Sequence, residues 1–191
     1  MQPVYGYFHG RFQPFHNGHL ALVQCALGVV PELVIGISNP FRAKPAPEEY
    51  FARDDGAMDG LNDARNPWNN PWPMWARVLM IREGLRSAGV DLGRILMLPN
   101  LLNTGLPASE AALPKEMVAV FICPKSEHNR VTLNQYRRDG WRVEVFPVCE
   151  SAVGASEIRR RMRQNEEWES LVPAGTAEVI RWLQSRRLAN V

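Results

Sequence analysis

Cysteine, lysine, long apolar runs and an excess of either charge are all scarce in this chain of 191 residues. The three cysteines, Cys25, Cys123 and Cys149, are widely separated and form no Cys-x-x-Cys pair, which argues against a disulfide framework or a cysteine-based zinc site. No apolar run approaches the ~18 residues of a membrane span, and no signal-peptide pattern is present. We therefore expect a cytoplasmic protein.

Net charge excludes a further class of function. Twenty-two basic against 20 acidic residues leave a net charge of +2, so no general attraction to nucleic acid or to an anionic membrane is expected. Most of the basic residues are arginine, whose planar guanidinium suits phosphate oxygens, although a GC-rich genome produces the same bias. Any anion binding must therefore be local.

Apolar runs alternate with helical patterns along the first 150 residues. Val4 to Phe8 predicts a strand, Leu20 to Val30 a helix, and Glu32 to Ser38 a strand buried on both faces. A helix, two strands, a helix and a strand are then predicted at 75–88, 94–98, 117–122, 129–138 and 141–146. This alternation predicts an α/β fold with a doubly wound parallel sheet in residues 1–150, followed by helices in residues 151–191.

A long insertion, residues 39–73, separates the second predicted strand from the next helix. It contains six prolines and several aromatic residues, among them Trp68 and Trp72. A connection of this length inside a compact domain is uncommon and is typical of a lid or a substrate loop. Two interpretations stay open: the insertion closes over a ligand, or it packs against the edge of the sheet.

The segment with the most chemical content is Gly10 to His19, GRFQPFHNGH, between the first strand and the first helix. In an open parallel sheet, ligands bind at this end of a strand. His16 and His19 face the same side of a helix start, whose free amides and dipole attract phosphate. The sequence thus predicts a phosphate site. The alternatives are ordinary half-buried histidines and a zinc site from His9, His16 and His19, for which no carboxylate or cysteine completes the ligand set.

A second segment, Gly154 to Met162, predicts another helix start. Ser156 is a favourable N-cap residue, and the negative charge of Glu157 is favourable in the first turn of a helix. The free amides of this helix start, together with Arg159, predict a second phosphate clamp, although a helix start alone is not specific.

At these two segments the chain resembles the nucleotidylyltransferase superfamily marked by a His-x-Gly-His motif, and most closely the archaeal-type nicotinamide mononucleotide (NMN) adenylyltransferases. Gly10 to His19 fits that family's Gly-Arg-Phe-Gln-Pro-x-His-x-Gly-His pattern, and Glu157 to Met162 matches its Glu-Ile-Arg-Arg-Arg-Met helix. The resemblance implies a Rossmann-like fold in which His16 and His19 hold a triphosphate. The other catalytic residues that it implies are Arg11 and Arg159, and the nucleotide-binding residues are Gly10, Phe12, Gln13, Gly18, Ser156, Glu157 and Ile158.

The chain departs from that family on the side of the acceptor. The family's NMN-binding stretch has no counterpart in residues 99–114, and its Gly-Asn-Pro turn is replaced by Ile122-Cys123-Pro124. The resemblance thus implies a retained triphosphate site beside an altered acceptor site, as in relatives that transfer CMP to phosphonoformate in phosphonate biosynthesis. Candidate acceptor contacts are Lys125, Arg130, Arg42, Lys44, Trp68 and Trp72.

Three hypotheses follow. The first is a nucleotidylyltransferase that uses CTP or ATP, with Mg²⁺ as cofactor, to modify a small phosphate or phosphonate such as phosphonoformate and releases pyrophosphate. The second is an NMN adenylyltransferase, and the third a nucleotide-binding protein without turnover. The expected partners are the triphosphate and the acceptor, with no nucleic acid, no membrane and no protein-held metal. The sequence leaves the base preference and homo-oligomer formation open.

Overall fold

The computed structural model describes residues 4–38, 70–100, 115–124, 127–146 and 153–186. Five strands form one sheet in the order β3-β2-β1-β4-β5, and every neighbouring pair is parallel. The strands are β1 (Tyr5–Gly10), β2 (Glu32–Ile37), β3 (Ile95–Pro99), β4 (Val118–Ile122) and β5 (Arg142–Val145). The predicted doubly wound parallel sheet is therefore confirmed.

Five α-helices accompany the sheet within the described residues. They are α1 (Asn17–Leu27), α2 (Met74–Ser87), α3 (Glu127–Arg138), α4 (Ala155–Arg163) and α5 (Ala174–Ser185). The first helix begins three residues before its predicted start, because polar residues of its first turn carry no apolar periodicity. None of the described helices combines the length and the apolar character that a bilayer crossing requires.

Alternate residues of the strands pack on opposite faces of the sheet. Tyr7 and Val120 pack with Tyr136 and Trp141 on the face that α3 covers. Phe8 belongs to the larger core on the other face, which is built with residues of α1, α2, α4 and α5. Strand β4 is buried at all five positions, as expected for a central strand covered by helices on both sides.

The C-terminal helices share the larger core rather than forming a separate one. Ile158, Ile180 and Leu183 are fully buried in the same cluster as the sheet residues Phe8 and Leu33. The predicted boundary near residue 150 falls in residues 147–152, which lie outside the described residues. Within the described ranges, packing is continuous from the sheet into the C-terminal helices.

Candidate active site

A cleft of about 340 Å³ opens at the carboxyl edge of the sheet, between β1 and β4. These two strands are neighbours whose chain connections leave on opposite sides, and ligands of open α/β sheets bind at such a switch point. The sheet divides the cleft into two lobes. The α1 lobe is lined by Phe8, Gly10, His16, Gly18, His19 and Phe121, and the α3 lobe by His9, Val120, Ile122, Asn129, Thr132 and Tyr136.

The two motif histidines lie together in the α1 lobe. Their rings are stacked, with centroids 3.6 Å apart and an angle of 25° between the ring planes. The helix begins at Asn17, and Gly18 lines the cleft, so the positive end of the α1 dipole is directed into this lobe. The structure thus brings together the two histidines and the helix start from which the sequence predicts a phosphate site.

The surroundings of His19 determine its charge and its tautomer. Phe12 and Phe15 contact its ring, with centroid distances of 4.9 and 5.7 Å. Burial lowers the pKa of His19 well below its ordinary value of 6.5, and the nearby charge of His16 lowers it further. The backbone N–H of His16 donates to Nδ1 of His19 at 3.3 Å, which leaves the single imidazole proton on Nε2. At neutral pH, His19 is thus a neutral hydrogen-bond donor through Nε2.

Arg11 belongs to the loop between β1 and α1, and Arg159 of α4 reaches the same loop, but neither side chain lines the described cleft. Arg159 of α4 is 3% exposed, and its Nη1 donates to the carbonyl oxygen of Gln13 at 2.5 Å. Burial lowers the pKa of Arg159 to about 10, and the charge of Arg11 contributes to the lowering. Burial also lowers the pKa of Arg11. Like charges that repel one another in a partly desolvated place are stabilised by a polyanion bound nearby.

Four of the residues that were predicted to contact the nucleotide use their side chains in contacts within the protein. Nε2 of Gln13 donates to the carbonyl oxygen of Trp72 at 2.9 Å, and the Trp72 N–H donates to Oε1 of Gln13 at 3.1 Å. Phe12 and Ile158 are 1% and 0% exposed in the core. Glu157 pairs with Arg160 and Arg161 on the surface of α4. Any nucleotide contact at these four positions must therefore come from the backbone.

The remaining nucleotide candidates are placed differently. Gly10 and Gly18 line the cleft. Ser156 lies in the first turn of α4, where its hydroxyl is 3.5 Å from Nη2 of Arg159. Ser156 is therefore not the predicted N-cap residue, because the helix begins at Ala155 and Gly154 occupies the N-cap position without a side-chain cap.

Two of the candidate acceptor contacts, Trp72 and Arg130, are wrong. Trp72 is 1% exposed and belongs to the main core, because Gln13 pairs with its backbone and holds it there; its ring is unavailable for stacking on an acceptor. Arg130 is exposed, pairs with Glu127 at 3.1 Å and does not line the cleft. The other candidates, Arg42, Lys44, Trp68 and Lys125, lie outside the described residues.

Sequence reasoning missed Arg77, a buried arginine of α2. Its Nη1 donates to the carbonyl oxygens of Arg11 at 2.9 Å and of Ser38 at 2.7 Å. It therefore ties residues 11–16, which we name the phosphate-site loop after the predicted phosphate site, to the end of β2. Burial lowers its pKa to about 10. The only signal in the sequence is that an arginine stands three and four positions before Met80 and Ile81, on the apolar face of the helix.

The α3 lobe was also missed. Asn129, Thr132 and Tyr136 stand at i, i+3 and i+7 of α3, so they form one stripe along the wall of the cleft. Nδ2 of Asn129 donates to the carbonyl oxygen of Cys123 at 2.8 Å, which holds the start of α3 against the end of β4. Burial, and secondly the charge of Asp139, raises the pKa of Tyr136 to about 12.

A chain of polar contacts supports this lobe from the sheet. His9 packs edge-on against Tyr136, with centroids 6.0 Å apart, and its Nδ1 is 3.4 Å from the hydroxyl of Ser38. Asn100 donates to the same hydroxyl at 3.0 Å and accepts from the hydroxyl of Tyr7 at 2.7 Å. The carboxyl ends of β1, β2 and β3 are thus joined by side chains on one face of the sheet.

The zinc alternative does not fit this geometry. His9 faces the α3 lobe, whereas His16 and His19 face the α1 lobe on the other side of the sheet. Within the described ranges, no group of three or more histidine, cysteine or acidic side chains is arranged to hold a metal ion.

Comparisons with known proteins identify the family of the chain. The model of the cytidylyltransferase-like family matches residues 7–86. The nicotinamide-nucleotide adenylyltransferase of Thermococcus sibiricus is 30% identical over 92% of this chain and 82% of its own length. That of Thermococcus kodakarensis is 31% identical, over 92% and 81%.

Solved structures extend the comparison to the fold. A bifunctional NMN adenylyltransferase/ADP ribose pyrophosphatase from Francisella tularensis, complexed with AMP and a Mn ion, superposes with a TM-score of 0.63 at 18% identity, covering 96% of this chain and 50% of that one. Thermotoga maritima TmcAL, bound with alpha-thio ATP, gives 0.58 at 15% identity, covering 100% and 58%. At these identities the superpositions establish the Rossmann-like fold alone.

Proposed function

Because this chain belongs to the cytidylyltransferase-like nucleotidylyltransferases and is a nucleotidyltransferase, we propose that it transfers AMP from ATP to nicotinamide mononucleotide and releases pyrophosphate. The observation that carries the proposal is the stacked histidine pair at the start of α1, with its fixed tautomer at His19. The archaeal relatives, which are named for this reaction, support the choice of substrates.

The proposed reaction needs no protein nucleophile. A phosphate oxygen of the acceptor is already ionised at neutral pH and attacks the α-phosphorus of the triphosphate. A new P–O bond forms while the bond to the β-phosphate oxygen breaks, and pyrophosphate leaves with that electron pair. The protein then has to align the two anions and stabilise the developing charge, as is typical of phosphoryl-group transfer.

Each part of the α1 lobe has a role in this proposal. Nε2 of His19 donates to a phosphate oxygen without adding a full positive charge, and His16 lies beside it on the same helix turn. Arg11 and Arg159 do not line the described cleft, but Arg159 reaches the loop that leads into α1 and contains Arg11, and we assign to this pair the positive charge that a triphosphate requires. These groups are held in place before the substrate binds, so little reorganisation is needed in the transition state.

A magnesium ion belongs to this proposal as part of the substrate. Mg²⁺ prefers oxygen ligands, usually carboxylates and phosphates, whereas the described side chains of the cleft offer imidazole, amide, hydroxyl and thiol groups. The described residues therefore do not fit a site in which the protein itself holds the ion. We propose that Mg²⁺ arrives with the triphosphate, and no catalytic step of this chain is assigned to it.

A second candidate is the transfer of CMP from CTP to a phosphonate such as phosphonoformate. The observation that favours it is Cys123, which lines the cleft at the end of β4, where the resembling family carries the asparagine of a Gly-Asn-Pro turn. A change at this position alters the wall of the cleft without touching the histidine pair. The third candidate, binding without turnover, has no structural observation in its favour.

The test is to incubate the purified protein with each substrate pair and to follow pyrophosphate. We expect NAD and pyrophosphate from ATP and NMN, and loss of both in a variant that carries His16→Ala and His19→Ala. Pyrophosphate from CTP and phosphonoformate alone would favour the second candidate. If the protein binds a triphosphate but releases pyrophosphate with none of the substrate pairs, the third candidate, a nucleotide-binding protein without turnover, would be favoured.

A further inference from the structure

One buried polar group in the cleft has no role in the proposed reaction. Tyr136 is 7% exposed, and its hydroxyl has no hydrogen-bond partner within the part of the chain that the structure describes. The side chain nevertheless lines the cleft. A buried hydroxyl without a partner costs stability, so its retention on the wall of a cleft indicates a partner that is supplied from within the cleft.

The rest of the α3 lobe indicates the chemical class of that partner. Val120 and Ile122 provide an apolar surface, 1% and 8% exposed, while Thr132 and His9 place polar groups at its margin. The described lining of this lobe contains no guanidinium, ammonium or carboxylate. An apolar surface with hydrogen-bonding groups at its edge fits the faces and the polar edge of a planar ring.

The charged groups of the site are also confined to one side of the sheet edge. Arg159 reaches the loop that leads into α1 and contains Arg11, and the stacked histidines face the α1 lobe. Phosphates are therefore attracted to one side of the sheet edge. In both substrates of a nucleotidyl transfer to a nucleotide, a sugar joins the phosphate to a nitrogen heterocycle, and the α3 lobe lies on the other side of that edge.

We propose that the α3 lobe binds the heterocycle of one of the two substrates, and that the hydroxyl of Tyr136 makes a hydrogen bond to the polar edge of this ring. The inference rests on the proposed function for the identity of the two substrates. Tyr136 is then a specificity determinant that touches substrate away from the reacting phosphorus. The high pKa of its hydroxyl keeps the proton in place at neutral pH, so the group both donates and accepts.

Tyr7 provides a matched control. It is also 7% exposed and packs in the same apolar cluster as Tyr136, but its hydroxyl donates to Asn100 and it does not line the cleft. Tyr136→Phe removes a hydroxyl that has no described partner, whereas Tyr7→Phe breaks an internal hydrogen bond. The two variants remove the same atom from the same residue type in one cluster.

The experiment measures thermal unfolding of the full chain and its dissociation constants for ATP, CTP and NMN, each alone, by calorimetric titration. We expect Tyr136→Phe to weaken the binding of one of these ligands by about five- to tenfold, and to raise KM for the same ligand with little change in kcat. Its melting temperature stays the same or rises. Tyr7→Phe lowers the melting temperature, because it breaks the contact with Asn100 that supports the lobe, and it weakens no single ligand selectively. The ligand that is weakened shows whether the ring comes from the triphosphate or from the acceptor.

Other outcomes would overturn the inference. Unchanged dissociation constants in Tyr136→Phe, or equal weakening of every ligand together with a lower melting temperature, would reduce Tyr136 to a structural role. Selective weakening of one ligand without NAD formation from ATP and NMN would overturn the proposed function and leave the inference standing. If no probe binds the wild-type protein, both are overturned.

Discussion

At the scale of single residues, the state of His19 depends on its neighbours more than on its position in the motif. Phenylalanine rings desolvate the imidazole and lower its pKa, and the backbone N–H of His16 occupies Nδ1. The sequence predicts that two histidines meet a phosphate. The tautomer and the neutral charge depend on side chains and a backbone amide that come together only in the folded loop.

Replacing His19 with alanine tests this role. We expect turnover to fall by about a hundred- to thousandfold, because one preorganised donor to the phosphates is lost. Pyrophosphate release at saturating substrates measures the effect, and circular dichroism checks the fold. Arg130→Ala, at an exposed position outside the cleft, serves as the control and should keep full turnover. Unchanged turnover in a folded His19→Ala protein would contradict the assignment.

At the scale of elements, the strands and helices were predicted within a few residues, because parallel strands buried on both faces and amphipathic helices leave clear periodic patterns. Side chains that join distant elements leave no such pattern. Gln13 holds the backbone of Trp72 across 59 positions, so an aromatic residue that suggested a ligand contact is instead part of the core. Arg77 and Tyr136 were missed because their roles depend on loops and a cleft that helical periodicity does not encode.

Arg77 joins α2 to two loop carbonyls, and replacing it should remove both hydrogen bonds. We expect Arg77→Met to lower the free energy of unfolding by about 2 to 6 kcal/mol, since it leaves two carbonyl oxygens without their donor and each costs roughly 1 to 3 kcal/mol. The control is Arg86→Met on the same helix, whose exposed pair with Glu83 is worth less than about 1 kcal/mol. Urea unfolding compares the two variants, and equal effects would argue against the proposed connection.

At the scale of the whole molecule, the chain folds around one continuous main core in its described ranges. The C-terminal helices supply Ile158, Ile180 and Leu183 to the core that supports the sheet, and Arg159 reaches from α4 to the phosphate-site loop. The sequence predicts the helices but not their share of the core, because two helices after the last strand are also compatible with a separate appendage.

A chain that ends at residue 152 tests this dependence. We expect the shortened protein to lose its cooperative thermal transition, because its sheet face would expose apolar surface that α4 and α5 now cover. Differential scanning calorimetry of the full and shortened chains measures the difference. A cooperative transition in the shortened chain, at a temperature near that of the full chain, would show that residues 1–152 fold alone.

The division of the cleft by the sheet edge has a consequence for how such a protein diverges. On the proposed assignment, α1 carries the wall that binds phosphate and α3 the wall that binds the ring, and these two helices lie on opposite sides of the sheet. Mutations that accumulate on the inner face of α3 can exchange one metabolite for another while the histidine turn is inherited intact. Descendants of one ancestor can thus share the same chemical step and differ in what they modify.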